Sequence, residues 1–352
     1  METSSMSEGL ANPNPNNSFE VVQPPDDYIS SLCFSPNFKR LAATSWDKTV
    51  KCWQIGLSWG KSGPETATSR LVKSIDNDQP VLCSAWIDDG DTIFWGGCDK
   101  QVKMWSYKSN ESATVGEHDE PVKEIAWIPD TKLLATGSWD KTLRYWDLRQ
   151  PTAVLTQQLP ERCYALSVNY PLMVVGTADE NLIVFDLTKP QVEYKRMQSP
   201  LMCQTRCVAL FPDNKGFLVG SIEGRVGVYH LDDSQQEKHF SFDCHREGEK
   251  VYSVNSLNFH PVYHTFASAG SDGAFNFWDK DSKLRLKAMS RCNNPITCSA
   301  FTSDGLIYAY AVCYDWSKNA KNRKTSKPRI FLHLPRESEV KGKPPRAGKG
   351  RK

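Results

Sequence analysis

The chain has 352 residues, with 43 basic and 41 acidic side chains and a formal net charge of +2. A chain of this length can bury a large core, and its balanced charge excludes a global electrostatic attraction to nucleic acid or to an acidic membrane surface. Its 11 cysteines form no C-x-x-C pair and mostly lie in apolar runs, which indicates buried thiols in a reducing compartment. No signal sequence or apolar run of about 20 residues occurs, so we expect no membrane insertion.

In chain order, the sequence repeats an apolar or alternating stretch followed by a turn made of a small residue, a variable residue and an acid. The turn acids are separated by 52, 41, 39, 44, 49 and 43 residues, close to the spacing of about 40 to 45 that is typical of WD repeats. The pattern predicts an all-β fold, a seven-bladed β-propeller with four strands per blade. The turn acids are Asp47, Asp99, Asp140, Asp179, Glu223, Asp272 and Asp315.

The propeller is predicted to span residues 17–336. The extended segment SFEVV, which begins at Ser18, is expected to supply the outer strand of blade seven and so close the ring. A basic insertion interrupts blade seven at about 316–329. Residues 1–16, rich in Asn, Pro and Ser, are predicted to be disordered, and 337–352 to form a basic flexible tail.

We expect the turn acids to be structural. In blade three the Asp140 carboxylate can accept hydrogen bonds from the hydroxyl of Ser138, two residues before it, and from His118 in the preceding loop, with Trp146 completing the set. A buried carboxylate needs such partners. This interpretation is preferred to a catalytic one.

The variable turn residues predict an apolar ring on one face of the propeller. They read Trp46, Cys98, Trp139, Ala178, Ile222, Ser271 and Tyr314. Exposed aromatic clusters mark interaction sites, so Trp46, Trp139, Ile222 and Tyr314 are predicted to bind a partner. The alternative is that these side chains lie flat on neighbouring blades and fill gaps.

Basic residues occur on the same or nearby loops. Lys48, Lys100 and Lys141 follow turn acids, and Arg225 follows Gly224. The blade-seven insertion and the tail KGKPPRAGKGRK carry further basic residues and no acid. Such segments are usually only solvated, but beside exposed aromatics they suit an acidic peptide or weak, sequence-tolerant contact with single-stranded RNA.

Catalytic and cofactor motifs are absent from the sequence, so we predict no enzyme activity, no cofactor and no metal. The segment GLSWGKS is one residue short of a phosphate-binding loop. His260 and His264 have a spacing that occurs in zinc sites, but no cysteine pair accompanies them and Pro261 indicates a turn.

Several longer motifs resemble those of one family. GSWDKTLRYWD, LPERCY, QTRCVALFPD, GSIEGRVGVYHL, FDCHR, GSDGAFNFWDKDSK and YAYAVCYDWSK are together similar to the WD-repeat messenger-RNA export factors of the nuclear pore. The resemblance spans about residues 18–335. It implies a propeller that binds the GLEBS hairpin of an FG-repeat nucleoporin, whose paired glutamates meet the arginine of SIEGR, Arg225.

The resemblance also implies a scaffold that links messenger ribonucleoprotein to the pore. Its location would be the nucleus and the nuclear envelope at the nuclear pore complex, with shuttling to the cytoplasm. RNA binding and contact with mitotic spindle components during spindle assembly belong to the same family.

Two alternatives remain within the fold. The mitotic-checkpoint relative of the family shares TRC, SIEGRV and CHR, which would make the chain a checkpoint scaffold. Separately, Trp146, Asp147 and Arg149 fit the W-D-x-R box by which some propellers dock on the adaptor of a cullin-RING ubiquitin ligase, so a role as a ligase substrate receptor stays open.

Overall fold

The computed structural model describes residues 12–37, 39–61, 63–316 and 327–342. Within them, seven four-stranded antiparallel sheets form seven blades. The first half of the chain contains β1 (Phe19–Glu20) and blades one to three. Blade one consists of β2 (Ile29–Phe34), β3 (Arg40–Ser45), β4 (Thr49–Gly60) and β5 (Gly63–Asp76), and blade two of β6 (Val81–Trp86), β7 (Thr92–Gly97), β8 (Gln101–Ser106) and β9 (Ser112–Glu117). Blade three consists of β10 (Val122–Ile128), β11 (Leu133–Ser138), β12 (Thr142–Trp146) and β13 (Leu155–Gln158).

The second half continues the same pattern with one added hairpin. Blade four consists of β14 (Cys163–Asn169), β15 (Leu172–Thr177), β16 (Asn181–Asp186) and β17 (Glu193–Gln198). Blade five consists of β18 (Thr205–Leu210), β19 (Gly216–Ser221), β20 (Arg225–His230), a 3-10 helix (Asp233–Lys238) and β21 (Phe240–Asp243), and the added hairpin that follows it of β22 (Arg246–Glu247) and β23 (Lys250–Val251). Blade six consists of β24 (Val254–Phe259), β25 (Phe266–Gly270), β26 (Phe275–Asp279) and β27 (Leu284–Ala288), and blade seven of β28 (Ile296–Phe301), β29 (Tyr308–Val312) and β30 (Arg329–His333), followed by α1 (Glu337–Val340).

The ring closes as the sequence predicted. The first strand of each blade contacts the first strands of both neighbouring blades, and β28 of blade seven contacts β2 of blade one. The outer strand of blade seven is β1, which pairs antiparallel with β30 through Phe19 and Leu332. The N-terminal strand therefore completes the last blade.

Each blade buries its faces against its neighbours. Seven hydrophobic clusters lie between successive blades. The cluster between blades seven and one includes Val21, Trp53 and Leu332 and joins both ends of the chain. A single blade has no core of its own, so the stability of the fold depends on the complete circle.

Both terminal predictions differ from the structure over a few residues. Residues 12–16 were predicted to be disordered, yet the Asn16 side chain exchanges two hydrogen bonds with the backbone of Ser290, at 2.9 and 2.8 Å. Residues 337–340 were placed in the flexible tail but form α1, whose Val340 is buried against blades six and seven. A buried apolar side chain and satisfied backbone groups order these segments. Residues 1–11 and 343–352 lie outside the described part.

Candidate functional site: the turn face and its opposite face

The turn acid of blade three lies in a closed hydrogen-bond network. The Asp140 carboxylate accepts from His118 Nδ1 at 2.8 Å and from the Thr142 hydroxyl at 2.6 Å. On the far side of the imidazole, Thr136 Oγ1 lies 2.8 Å from His118 Nε2 and accepts from Trp146 Nε1 at 2.8 Å. The network joins the loop before the blade to its second and third strands.

The hydroxyl in this network is not the predicted one. Ser138 does not donate to the carboxylate; its Oγ accepts from the backbone N–H of Asp140 at 3.0 Å and lies 2.9 Å from the carbonyl oxygen of Pro121. Ser138 and Thr136 share one face of β11, but only Thr136 lies at the depth of the imidazole. The prediction therefore chose Ser138, which lies two residues nearer to the turn than Thr136, the residue whose hydroxyl contacts the imidazole.

The electrostatics of Asp140 fit a structural role. Burial by itself raises the pKa of this carboxyl, but the hydrogen bonds from His118 and Thr142 outweigh it and hold the pKa well below its usual range. An ionised carboxylate with several donors in a buried network is stable as scaffold and is poorly suited to proton transfer near neutral pH.

Blade six contains a second network of the same kind, which the sequence analysis missed. His245 Nδ1 lies 2.8 Å from Asp272, and His245 Nε2 lies 3.0 Å from Ser268 Oγ, which also accepts from Trp278 Nε1 at 2.9 Å. The histidine was hard to identify because the hairpin β22–β23 lengthens the loop between it and the blade.

Other blades satisfy their turn acids without histidine. In blade two Lys103 Nζ lies 2.7 Å from Asp99. In blade one Asp47 accepts from the backbone N–H of Asp26 at 2.7 Å. In blade four the Thr177 hydroxyl, two residues before Asp179, donates to the Asp179 carboxylate at 2.5 Å. In blades one to six the turn position therefore keeps an acid while the donors change.

We call the face of the ring that carries the turns between second and third strands the turn face. In blades one to six the variable turn residue donates its backbone N–H to the residue just before the first strand, which fixes it at the rim of this face. Trp46, Trp139 and Ile222 are 39%, 37% and 43% exposed there. Three of the four predicted partner-binding residues are thus available to solvent on one face.

The turn of blade seven is offset by one residue from the predicted alignment. Cys313, not Tyr314, donates its N–H to the carbonyl oxygen of Pro295, at 3.0 Å. Val312, which pairs with Ile296, takes the ladder position of the small residue that begins each turn. Tyr314 therefore occupies the position of the turn acid.

This offset corrects two predictions. Tyr314 is only 8% exposed and cannot be an exposed member of the ring, and Asp315 lies one residue beyond the turn-acid position. The exposed aromatic residue here is Trp316, at 37%, whose ring centroid lies 5.7 Å from that of Trp46. The sequence misled because Cys313, Tyr314 and Asp315 imitate the small-variable-acid pattern one residue after the true turn, which Val312, Cys313 and Tyr314 form.

Arg225 lies on the turn face at the start of β20. Its Nε donates to Asp243 at 2.8 Å, while its Nη1 lies 3.7 Å from Glu223, beyond hydrogen-bond distance. Arg246 lies beside the same two acids, with its Nε donating to the carbonyl oxygen of Glu223 at 3.0 Å. Gly224, with φ +72°, is required because an added Cβ would meet the carbonyl oxygen of His245 at 2.6 Å.

The three residues of the W-D-x-R box differ in what they expose. Trp146 is buried in the network of blade three, and Asp147 is also buried. Arg149 has 84% of its side chain exposed, but its Nη2 lies 2.6 Å from Asp147 and its Nε lies 2.9 Å from the same carboxylate. Only the arginine of this box is accessible, and it lies on the face opposite the turn face.

That opposite face also carries a basic cavity that the sequence did not reveal. The cavity has a volume of about 560 Å³ and lies between blades five and six. The Lys283 ammonium lies 4.6 Å from the centroid of the Phe240 ring, and the rings of Phe242 and Trp278 pack beside it with centroids 4.8 Å apart. Its lysines outnumber its acids by one, and Lys280 pairs with one of these acids, Asp281. The lining residues are Asp213, Lys215, His230, Gln235, Glu237, Lys238, Phe240, Lys280, Asp281 and Lys283.

The basic residues of the turns are less available than predicted. Lys100 donates to the carbonyl oxygen of Asp119 at 2.7 Å, and Lys141 pairs with Glu161. Residues 317–326 of the predicted basic insertion, and the tail from 343, lie outside the described residues, so the prediction of RNA contact through them stays a prediction.

The histidine pair has a local structural explanation. His260 is buried, and its Nδ1 accepts from the backbone N–H groups of Val262 and Tyr263, both at 3.2 Å. It stabilises the turn after β24. Within the described ranges, no helix is long and apolar enough to cross a bilayer.

Comparison with known proteins agrees with this architecture. The family model for the WD domain, G-beta repeat, matches residues 18–54, 109–147 and 236–279. The chain is 68% identical over 345 residues to "Protein RAE1" of Arabidopsis thaliana, covering 97% of both chains. It is 41% identical over 343 residues to "Poly(A)+ RNA export protein" of Schizosaccharomyces pombe, covering 94% of both.

A vertebrate relative extends the comparison. The chain is 43% identical over 326 residues to "mRNA export factor" of Xenopus tropicalis, covering 87% of this chain and 86% of the relative. Identity at these levels over nearly the whole length, on a seven-bladed propeller, shows that the chain belongs to the WD-repeat family of messenger-RNA export factors.

Proposed function

We propose that the chain is a non-enzymatic scaffold for messenger-RNA export that docks on the GLEBS hairpin of an FG-repeat nucleoporin. It acts in the nucleus and at the nuclear pore complex and shuttles to the cytoplasm. The names of its relatives, "mRNA export factor" and "Poly(A)+ RNA export protein", support the export role.

One observation carries the docking proposal: the oriented guanidinium of Arg225. Asp243 occupies the Nε edge at 2.8 Å, while Nη1 is too far from Glu223 for a hydrogen bond. The Nη donors are therefore held toward an incoming carboxylate, which a guanidinium binds through paired hydrogen bonds. Exposed Ile222 lies in the same turn and adds an apolar contact beside the charge.

The test is calorimetric titration of a GLEBS peptide into the wild type, Arg225→Glu and Arg149→Glu. Arg149 is a matched control because it is an exposed arginine paired with an aspartate on the other face. We expect Arg225→Glu to weaken binding by at least about tenfold, the value of one charged hydrogen-bonded contact, and Arg149→Glu to leave it unchanged. Equal affinity for all three proteins would remove the role of Arg225, and no binding by any would remove the docking function.

The basic cavity supports a second element of the proposal, direct contact with single-stranded RNA. The four lysines of the cavity exceed its three acids by one charge, and the Phe240 ring is part of its wall, so phosphate attraction and base stacking can act together there. Burial and the nearby Lys280 charge lower the pKa of His230, so at neutral pH the lysines supply the positive charge.

Binding of a ten-nucleotide oligouridine, measured at several salt concentrations, tests the RNA contact. Lys283→Glu should weaken binding and flatten the logarithmic salt dependence by about one unit of slope. Lys108→Glu is the control, since Lys108 is an exposed lysine in the corresponding connection of blade two. A salt-independent affinity, or equal loss in both variants, would contradict the contact.

A further inference from the structure

The turn face carries an exposed methionine beside the turn of blade five. Met202 lies in the connection between β17 and β18 and is 82% exposed. Two residues later, the carbonyl oxygen of Gln204 accepts the backbone N–H of Ile222 at 3.1 Å. This bond joins the connection to the turn that carries Arg225. Met202 and Ile222, which is 43% exposed, therefore present two apolar side chains next to the guanidinium.

The backbone holds Met202 in this exposed position. Leu201, just before it, is buried in the cluster between blades four and five, and the Met202 N–H donates to the carbonyl oxygen of Ser199 at 3.4 Å. Met202 has a φ of +53°, in the left-handed region where a residue with a Cβ is strained. An apolar side chain that is both exposed and held by a strained backbone contributes little to the fold, which indicates a role at the surface.

The neighbouring thiol shows which charges surround this segment. Burial and the charges of Glu223 and Glu180 raise the pKa of Cys203, although the charge of Arg225 opposes the shift. The segment therefore lies within electrostatic range of the docking arginine. A thiol with a raised pKa holds less of the reactive thiolate, so the thioether of Met202 is the more available sulfur for an oxidant.

Met202 is also the methionine most open to oxidation within the described ranges. Met173 is buried, and Met104, Met197 and Met289 are only partly exposed. An oxidant must reach the sulfur atom, so sulfoxide formation follows exposure. In the described part of the chain, a peroxide would modify Met202 first.

We propose that Met202 and Ile222 form the apolar part of the docking site, and that oxidation of Met202 to methionine sulfoxide by hydrogen peroxide weakens docking. The inference rests on the proposed docking function. In the reaction the O–O bond of the peroxide breaks, one oxygen atom bonds to the thioether sulfur, and the other leaves as water with both hydrogens. The sulfur loses two electrons and the peroxide gains them. The sulfoxide is polar, so packing it against an apolar partner residue costs desolvation.

The site accordingly recognises two features of the partner hairpin. Arg225 binds a carboxylate, while Met202 and Ile222 pack against an aliphatic or aromatic side chain near that carboxylate. A methionine side chain is unbranched and adapts to either shape. A bound hairpin covers the sulfur, so docking protects Met202 from oxidation, and oxidation opposes docking to the same extent.

The experiment titrates a GLEBS peptide into the full chain before and after treatment with hydrogen peroxide, which catalase removes before the titration. The proteins are the wild type, Met202→Leu, Met202→Gln and Val192→Gln, each checked for folding by circular dichroism. Val192 is the matched control because it is an apolar residue, 68% exposed, in the connection between β16 and β17 on the opposite face. Peptide mass spectrometry assigns each oxidation to its methionine.

Two further samples separate thioether oxidation from thiol oxidation. Oxidised wild type is incubated with dithiothreitol alone, or with dithiothreitol and methionine sulfoxide reductases for both epimers. Only the second treatment should restore affinity. Recovery with dithiothreitol alone would assign the effect to a cysteine and overturn the role of Met202.

We expect Met202→Gln and oxidation of the wild type each to weaken GLEBS binding about fivefold, the loss of one apolar contact. Met202→Leu should stay within about twofold of the wild type and be insensitive to peroxide, and Val192→Gln should bind normally. Equal peroxide sensitivity of Met202→Leu and the wild type, or full binding by Met202→Gln, refutes this inference and leaves the Arg225 contact intact. No GLEBS binding by the untreated wild type removes the docking function and this inference with it.

Discussion

Blades three and five use the same turn position in opposite ways. In blade three, Asp140 is surrounded by donors from its own blade and the preceding loop, and its side chain is buried. In blade five, Glu223 is longer and reaches no histidine; the charged groups near it are Arg225 and Arg246, which extend to the turn face. The first turn completes the blade, and the second presents charge to solvent.

The difference shows how a repeated scaffold acquires a specific surface. A turn whose polar groups are all paired internally has little to offer a partner, because each new contact would break an existing one. In a turn whose ion pairs are longer and partly exposed, each pair contributes little to the stability of the fold, typically about 0–1 kcal/mol. Such a turn keeps hydrogen-bond donors available for a partner. Variation among the blades therefore locates function better than the shared pattern does.

Removing the turn acid of blade three should have the largest effect. Asp140→Ala leaves a buried imidazole and a hydroxyl without their acceptor, so we expect the free energy of unfolding to fall by about 3 kcal/mol. Urea denaturation followed by tryptophan fluorescence measures this. Asp179→Ala, in the less buried network of blade four, should lose about 1 kcal/mol; equal losses would contradict the contrast between the blades.

Replacing the bridging hydroxyl should have the next largest effect. Thr136→Val keeps the shape of the side chain but leaves His118 Nε2 and Trp146 Nε1 without a hydrogen-bond partner, which we expect to cost about 2 kcal/mol. Ser138→Ala removes contacts to backbone groups at the turn and should cost about 1 kcal/mol. The same urea titration decides between them, and a larger loss in Ser138→Ala would restore the network predicted from the sequence.

Acid should remove the stabilisation that the ionised Asp140 carboxylate gives to blade three. The pKa of Asp140 is lower in the folded state than in the unfolded chain, where it is about 3.9. Its stabilisation is therefore complete above about pH 4 and is lost as pH falls below that value. Between pH 5 and pH 3 the wild type should lose about 1 kcal/mol more than Asp140→Asn. Parallel pH profiles for the two proteins would contradict the shift.

The smallest stability effect should come from blade five. Asp243→Asn removes the charge that orients Arg225, yet both side chains are substantially exposed, so we expect no resolvable change in the free energy of unfolding. GLEBS-peptide affinity should nevertheless fall about threefold, because the guanidinium loses its fixed orientation. A change in stability without a change in affinity would reverse the assignment of this turn.

The sequence was sufficient for the ring but not for the details of its surface. Spacing and alternation predict seven blades because every blade repeats the same hydrogen-bonded unit, and SFEVV predicts the closing strand. The offset at Tyr314 could not be seen, since register in blade seven is fixed by the pairing of Val312 with Ile296 and not by the turn residues. The cavity near Lys283 was also hidden, because its walls come from separate loops of blades five and six that only the fold brings together.

The pairing of β1 with β30 has a consequence for how the chain is made. The N-terminal strand of the ring pairs with its C-terminal strand, so Phe19 has no partner until Leu332 has been synthesised. At about 5–20 residues per second that delay is on the order of tens of seconds. During it, the apolar surface around Trp53 that the closed ring covers stays exposed on the nascent chain. Biosynthesis of this propeller therefore creates a long period of susceptibility to aggregation, in which a chaperone that shields apolar surface would increase the yield of closed rings.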